Sequence, residues 1–291
     1  MSDAPGIAIL PYGTSLGPKL AQMPLSDLTW PLGCPDRLQG KCVGDLERTD
    51  HLIMYPKTSH HYVLRRGTKA QISLMMGEPS VIHAKHIKLL KWTWRRFFRV
   101  LSFHEALVDT IPNCVFFPYG TTWVPDWRDL EIKKTKNCSL IASAKRDTAG
   151  HQLRHEMVDW VRASDQDVEV LGRGYTPFDK KSDGLAPYRY SIVIENVREK
   201  NYFSEKLLDA VFCETVPIYW GCPNIGDFVD PEGLIICESA NDIQRAVEGM
   251  SEEQYQSKLP LIRKMREQLI PYADIDLRAA EVIRQETALR S

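Results

Sequence analysis

Apolar positions in the first half of the chain fall in short continuous runs set apart by turn-rich connections: IAILPY from Ile7, HLIMY from His51, QISLMM from Gln71, FRVLSF from Phe98 and CVFFPY from Cys114. Runs of this length, bounded by Gly, Pro and polar residues, predict buried strands. Between the last two, HEALVDTI from His104 has helical spacing and stops at Pro112, which predicts a strand-helix-strand unit. Residues 13–48, rich in Gly and Pro, predict irregular structure.

The polar stretch 126–137 lacks periodicity and follows a proline, as a connection between domains does. Beyond it, strands and helices alternate more cleanly. The predicted strands are SLIASA from Ser139, VEVLG from Val168, YSIVIEN from Tyr190, VPIYWG from Val216 and GLIICE from Gly233. The predicted helices are GHQLRHEMVDWVRAS from Gly150, SEKLLDAVFCE from Ser204 and ANDIQRAVEGM from Ala240. Such interleaving implies an α/β fold with a parallel sheet covered on both faces. The tail from Ser251 is charged and helical, interrupted at Pro260 and Pro271, and is expected to wrap the second domain. The division is therefore 1–126 for a first domain, 127–137 for a linker and 138–291 for a second domain with its helical tail.

Composition narrows the class without naming a function. At 291 residues, 43% hydrophobic and 26% charged, the chain has the make-up of an ordinary two-domain globular protein. With 37 basic against 38 acidic residues, no whole-chain field draws it to nucleic acid. No apolar run reaches the roughly 18 residues needed to span a bilayer, and the first 30 residues lack a basic start followed by an apolar segment. Seven cysteines without a CxxC pair fit reduced thiols in a cytoplasm.

In an open parallel sheet, ligands bind beyond the carboxyl ends of the strands. Three places in the second half qualify. Gly172-Arg173-Gly174 sets a guanidinium between two glycines, as a solvated turn or an anion contact. Ile194-Glu195-Asn196 ends an apolar strand with two polar groups. In Tyr202-Phe203-Ser204-Glu205-Lys206, Ser204 is a natural N-cap, while Lys206 opposes the positive end of the helix dipole at a local cost of roughly 0.3 to 1 kcal/mol. Lys206 either extends into water or meets an anion that removes the penalty. With the helix amides and Arg173 it would make a diphosphate site without a metal.

The run YRYSIVIENVREKNYFSEKLLDAVFCETVPIYWGCPNIGDF, from Tyr188 to Phe228, resembles the donor-binding motif of the alpha-1,3/4-fucosyltransferase family, glycosyltransferase family 10. The resemblance covers the second half and touches the first only at scattered points. It implies a GT-B architecture, two Rossmann-like domains facing a cleft, with a GDP-sugar held by the second and a glycan or glycolipid acceptor entering from the first. On this resemblance Lys206 and Arg173 neutralise the diphosphate, Glu205 accepts from the ribose hydroxyls, and Asn196 and Tyr202 are further donor contacts. The family's catalytic carboxylate falls on Glu78, in Met76-Gly77-Glu78-Pro79 after the strand QISLMM. Glu78 is then the general base of an inverting transfer of fucose from GDP-fucose to a glycan hydroxyl, with an alpha-1,3-type linkage, no cofactor and no metal. The alternatives are the same fold with another GDP-hexose donor, or a non-catalytic glycan- or nucleotide-binding module. The implied enzyme acts on the cytoplasmic side.

One further stretch stands out. HAKHIKLLKWTWRRFFRV, residues 83–100, interleaves Lys85, Lys88, Lys91, Arg95, Arg96 and Arg99 with aromatic residues and contains no acid. It suits a basic surface helix, an acceptor wall, single-stranded nucleic acid or peripheral contact with an anionic membrane. His151 and His155 have the four-residue spacing of two-histidine metal motifs, but HQLRHE lacks the Glu after the first His, so packing roles are expected.

Overall fold

A computed structural model describes residues 4–289. The chain divides into two compact units, the first running to Tyr119 and taking back the tail from Asp274, the second spanning Gly120–Ala273.

The first unit is a parallel five-stranded sheet in the order β1-β2-β3-β4-β5. Its strands are β1 (Ile7–Ile9), β2 (His51–Met54), β3 (Gln71–Met76), β4 (Val100–Ser102) and β5 (Cys114–Phe116). Each falls within a predicted run. The two-residue period of a strand sends Ile7, Ile9, Ile53, Met75 and Leu101 to one face, and Ala8, Leu52, Met54, Leu74 and Val100 to the other. The second face is covered by α1 (Ser80–Thr93), by α2 (Glu105–Val108) and by the irregular segment after β1, through Leu90, Leu107, Leu20 and Leu38.

The second unit carries β6 (Lys136–Ile141), β7 (Val168–Leu171), β8 (Tyr188–Ile194), β9 (Val216–Trp220) and β10 (Ile235–Ile236). Its helices are α3 (Ala149–Ala163), α4 (Glu205–Phe212), α5 (Ala240–Glu248) and α6 (Glu252–Leu269). All strand pairs are parallel, and the order β10-β9-β8-β6-β7 puts the first strand of the unit between its second and third. The chain therefore leaves β6 in one direction to β7 and returns past it to β8. Such a reversal opens a crevice at the carboxyl ends of β6 and β8, the usual ligand position in this topology.

Three features differ from the sequence reading. Residues 126–137 belong to the body of the second unit. Trp127 stacks on Phe212 with centroids 4.3 Å apart, and the Lys134 ammonium donates to the carbonyls of Tyr188 (2.7 Å) and Cys213 (2.7 Å) and to Thr215 Oγ1 (2.9 Å). Pro260 does not interrupt α6, because Tyr255, Ile262, Met265 and Leu269 fill the core on both sides of it, packing that outweighs the helix penalty of a single proline. The last helix, α7 (Ile275–Ala288), packs in the first unit. Its stripe of Ile275, Ala279, Ala280 and Ile283 covers the sheet face of Ile7, Ile9 and Ile53 that α1 and α2 leave bare. An Arg99–Glu286 ion pair at 2.6 Å fastens it. Among the described residues no helix is long and apolar enough to cross a membrane.

Candidate functional site

In the second unit, polar side chains gather where the sheet order reverses. Strand β8 ends in Glu195 and Asn196, and the starts of α3 and α4 close in on them. The approach of α3 depends on Gly150, whose amide donates to the Asn196 carbonyl at 3.0 Å. A Cβ at Gly150 would lie 1.8 Å from the Glu195 carbonyl oxygen. On the opposite side, a Cβ at Gly221 would lie 2.6 Å from Glu195 Cγ.

Glu195 is fully buried and accepts from the Ser204 amide at 2.8 Å and the Ser204 hydroxyl at 2.5 Å. Ser204 is at the same time the N-cap of α4, its Oγ accepting from the Lys206 amide at 3.4 Å. The carboxylate thus fixes the helix start. Lys206 Nζ lies 2.9 Å from Glu205 Oε1, 3.2 Å from Ser204 Oγ and 3.7 Å from Glu195 Oε2. Burial lifts the Glu195 carboxyl above the usual carboxylate range, despite Lys206. Burial works the same way on Glu205 but is outweighed by Lys206, and that carboxyl sits low. Burial would lower the Lys206 ammonium, and the two carboxylates more than offset it, holding it above the ordinary lysine range. The helix-end penalty assigned to Lys206 from sequence is therefore already met by Glu195 and Glu205.

A second cation enters from α3. Arg154 is 6% exposed, and its Nη2 donates to Asn196 Oδ1 at 2.8 Å. Burial depresses its pKa, opposed by Glu195, Glu205 and Tyr202. Arg154 Nε and His151 Nδ1 are buried without a hydrogen-bond partner among the described residues. Leaving such groups unmet costs about 1 to 3 kcal/mol each, a cost that recurs where a ligand completes the set. Lys181, partly buried at the start of a short 3-10 helix, feels Asp209, Glu205, Lys206 and Arg154, and burial lowers its pKa. The arrangement offers guanidinium and ammonium groups beside a carboxylate and an amide, a donor set that fits a phosphate ester with a hydroxylated appendage.

The structure brings Asn196, Glu205 and Lys206 into this cluster, with Tyr202 buried alongside at 2% exposure. It does not bring in Arg173. That residue is exposed on a turn after β7 between Gly172 (φ 115°) and Gly174 (φ 94°), and no hydrogen bond or ion pair joins it to the cluster among the described residues. The buried guanidinium is Arg154, which the sequence reading passed over. Its signal was its place on α3: Arg154, Met157, Val158 and Val161 are spaced by three and four, so the apolar stripe carries a charge inward. Among the described residues no group of three or more His, Cys, Asp or Glu side chains is arranged to hold a metal ion. His155 instead bonds the Lys145 carbonyl at 3.0 Å and the Tyr175 hydroxyl at 2.8 Å, a packing role.

In the first unit, Glu78 follows β3 immediately before α1 and is exposed. Its turn is held from two sides. The Tyr119 ring lies against Gly77, where a Cβ would come within 2.4 Å of it. His104 Nε2 contacts the Glu78 carbonyl at 3.1 Å, which makes that nitrogen the donor.

No protein-family profile matches the chain. Over 68 residues, 23% of this chain, it is 29% identical to the alpha-(1,3)-fucosyltransferase FucT of Helicobacter pylori. Over 58 residues, 20% of this chain, it is 36% identical to an alpha-(1,4)-fucosyltransferase of Arabidopsis thaliana. The aligned segments span 14% of the length of each of those proteins. Among solved structures, an alpha1,3-fucosyltransferase matches with a TM-score of 0.52 at 15% identity, over 82% of this chain and 78% of that one. An alpha-glucosyltransferase in complex with UDP and a mismatched 13-mer DNA matches with a TM-score of 0.55 at 12% identity, over 84% and 80%. At these identities the structural likeness is one of fold, that of the GT-B glycosyltransferases. The sequence likeness is therefore to two fucosyltransferases over less than a quarter of this chain, while the likeness of fold extends over most of it.

Proposed function

We propose that the protein is an inverting glycosyltransferase that moves fucose from GDP-fucose to a glycan hydroxyl. The observation that carries the reading is the pair of cations at the reversal of the second sheet, Arg154 with an unpartnered buried Nε and Lys206 at the start of α4. In the proposed reaction Glu78 accepts the proton of the acceptor hydroxyl, whose oxygen attacks the anomeric carbon. The bond from that carbon to the diphosphate oxygen breaks, and its electron pair leaves with GDP. Negative charge grows on the diphosphate during this step, so Lys206 and Arg154 stabilise the transition state more than the ground state. Arg154 takes the place that the sequence reading gave to Arg173. Glu205 accepts from the ribose hydroxyls, Asn196 orients the guanidinium, and Tyr202 lines the donor side.

The donor sugar, the alpha-1,3-type linkage and the absence of a metal requirement belong to this proposal through the family resemblance. Calorimetric titration with GDP, paired with a turnover assay on GDP-fucose, tests it. The expected result is GDP binding that Lys206→Ala weakens at least tenfold, with turnover reduced by about 100- to 1000-fold. Unchanged GDP affinity in Lys206→Ala contradicts the site. Turnover with a different GDP-hexose and none with GDP-fucose contradicts the donor and keeps the site.

A further inference from the structure

We infer that the outer face of α1 is a docking surface for an anionic lipid bilayer, independently of the chemistry proposed above. The helix turns His83 and Leu90 inward, where both are buried. Its opposite side is a single stripe: Val81, Lys85, Lys88 and Trp92, at offsets of four, seven and eleven residues, are all exposed. Trp92 is 87% exposed, Val81 63% and the adjoining Ile82 49%. Lys91 and Arg95 extend the cationic surface beside it.

Four observations favour lipid over other anionic partners. The stretch between Glu78 and Glu105 contains no acid, and even the first turn of α1, where an acid would favour the helix dipole, has none. Of its six cations, Arg96 and Arg99 are engaged inside the unit, with the Val63 carbonyl and with Glu286, while Lys85, Lys88, Lys91 and Arg95 are exposed. The apolar members are aliphatic as well as aromatic. Sugars and bases stack on rings, whereas exposed Val81 and Ile82 gain only by entering an acyl boundary. The exposed apolar set also continues past the helix: Leu64 is 90% and Tyr62 59% exposed, and their segment is tied to the end of α1 through His61 Nδ1 to Thr93 Oγ1 at 2.8 Å and Arg96 to the Val63 carbonyl. A tryptophan flanked by lysines on one helix face is the composition of a helix lying in the headgroup layer.

The test is sedimentation of the whole protein with vesicles of phosphatidylcholine alone or with 30% phosphatidylglycerol, at low and high salt. Binding is expected only to the anionic vesicles and is expected to fall with salt. Replacing Lys85, Lys88 and Lys91 together by Ala is expected to lower the partition on the order of 100-fold, since each surface lysine contributes about fivefold. Trp92→Ala is expected to lower it several-fold. Both variants should keep the far-ultraviolet dichroism, the thermal midpoint and the GDP affinity of the parent. Three outcomes overturn the inference: protein wholly in the supernatant with anionic vesicles at low salt, binding that neither variant reduces, or retention on a soluble acidic polysaccharide without retention on vesicles.

Discussion

Arg154 and Asn196 are joined by a hydrogen bond of 2.8 Å between Nη2 and Oδ1, which aims a buried guanidinium from α3 across the carboxyl end of β8. The bond occupies one edge of a five-donor fork and leaves Nε unmet. Arg154→Ala is therefore expected to lower GDP affinity at least tenfold and turnover by about 100- to 1000-fold. Arg154→Lys, which keeps the charge and loses the fork, is expected to recover only part of either. Arg173→Ala, on its exposed turn, is expected to stay within about twofold of the parent in both. Calorimetry with GDP and steady-state rates on the three variants check this, and a larger loss in Arg173→Ala than in Arg154→Ala would restore the sequence-based assignment.

The alternation of strand and helix was legible because a period of two or of 3.6 is written directly into the apolar positions. Every strand overlaps a predicted run, although β6 begins at Lys136 inside the stretch read as a linker and β8 begins two residues ahead of its run, and Ser204 caps the helix it was expected to cap. What could not be read was which surface each stripe covers. Ile275, Ala279, Ala280 and Ile283 announce a buried helix face, but nothing local says that the face belongs to the first sheet, since that depends on α1 and α2 both lying on the other side. Arg154 was hidden for a related reason: an arginine on a helix is ordinarily solvated, and only the tertiary position of Glu195 and Asn196 makes it a buried member of the cluster. Residues 126–137 read as a connection because their polar groups face partners distant in sequence, as Lys134 faces Tyr188 and Thr215.

Glu78 and His104 are expected to separate chemistry from positioning. Glu78→Ala removes the proposed base and should cut turnover by about 100- to 10,000-fold without altering GDP affinity. His104→Phe keeps the packing volume and loses the donor to the Glu78 carbonyl. One hydrogen bond of about 0.5 to 1.5 kcal/mol corresponds to roughly a two- to thirteenfold change, expected in kcat with the donor KM unchanged. His104→Gln, which retains a donor, should recover much of that loss. A loss in the Gln variant with none in the Phe variant would show that ring packing against Phe103, at 4.2 Å between centroids, is what matters.

Gly150 gives a stability prediction tied to the same site. A methyl group there would stand 1.8 Å from the Glu195 carbonyl oxygen and 2.8 Å from that of Asn196, both backbone atoms that no rotamer change can move aside. Gly150→Ala is expected to cost at least the roughly 1 to 3 kcal/mol of ordinary overpacking and to weaken GDP binding by displacing α3 from β8. Gly174→Ala, whose Cβ would meet nothing within 4 Å, tests backbone strain alone because of its φ of 94°. Urea unfolding reports what each substitution costs in stability, and calorimetry with GDP should rank Gly150→Ala as the more damaging to nucleotide binding.

Acid should destabilise the first unit through histidines held neutral. Burial, the main cause in each case, lowers His51, His60 and His61 to about 4 from an ordinary 6.5. A group with a depressed folded-state pKa binds fewer protons in the folded than in the unfolded chain between the two values. Stability therefore falls as pH drops from about 6.5 towards 4, and the loss is complete below the folded value. For His51 alone the loss at pH 5 is on the order of 2 kcal/mol. Asp209 works in the opposite direction in the second unit. Burial raises it to about 7 from 3.8, so that its contribution declines as pH rises through that window. The two trends can be told apart by substitution. His51→Gln keeps a polar group towards Thr287, whose Oγ1 lies 3.1 Å from His51 Nε2, and should flatten the fall in urea midpoint between pH 7 and 5. Asp209→Asn should steepen it. A His51→Gln variant with the parent's full pH slope would mean that this imidazole accepts a proton in the folded state as readily as in the unfolded one.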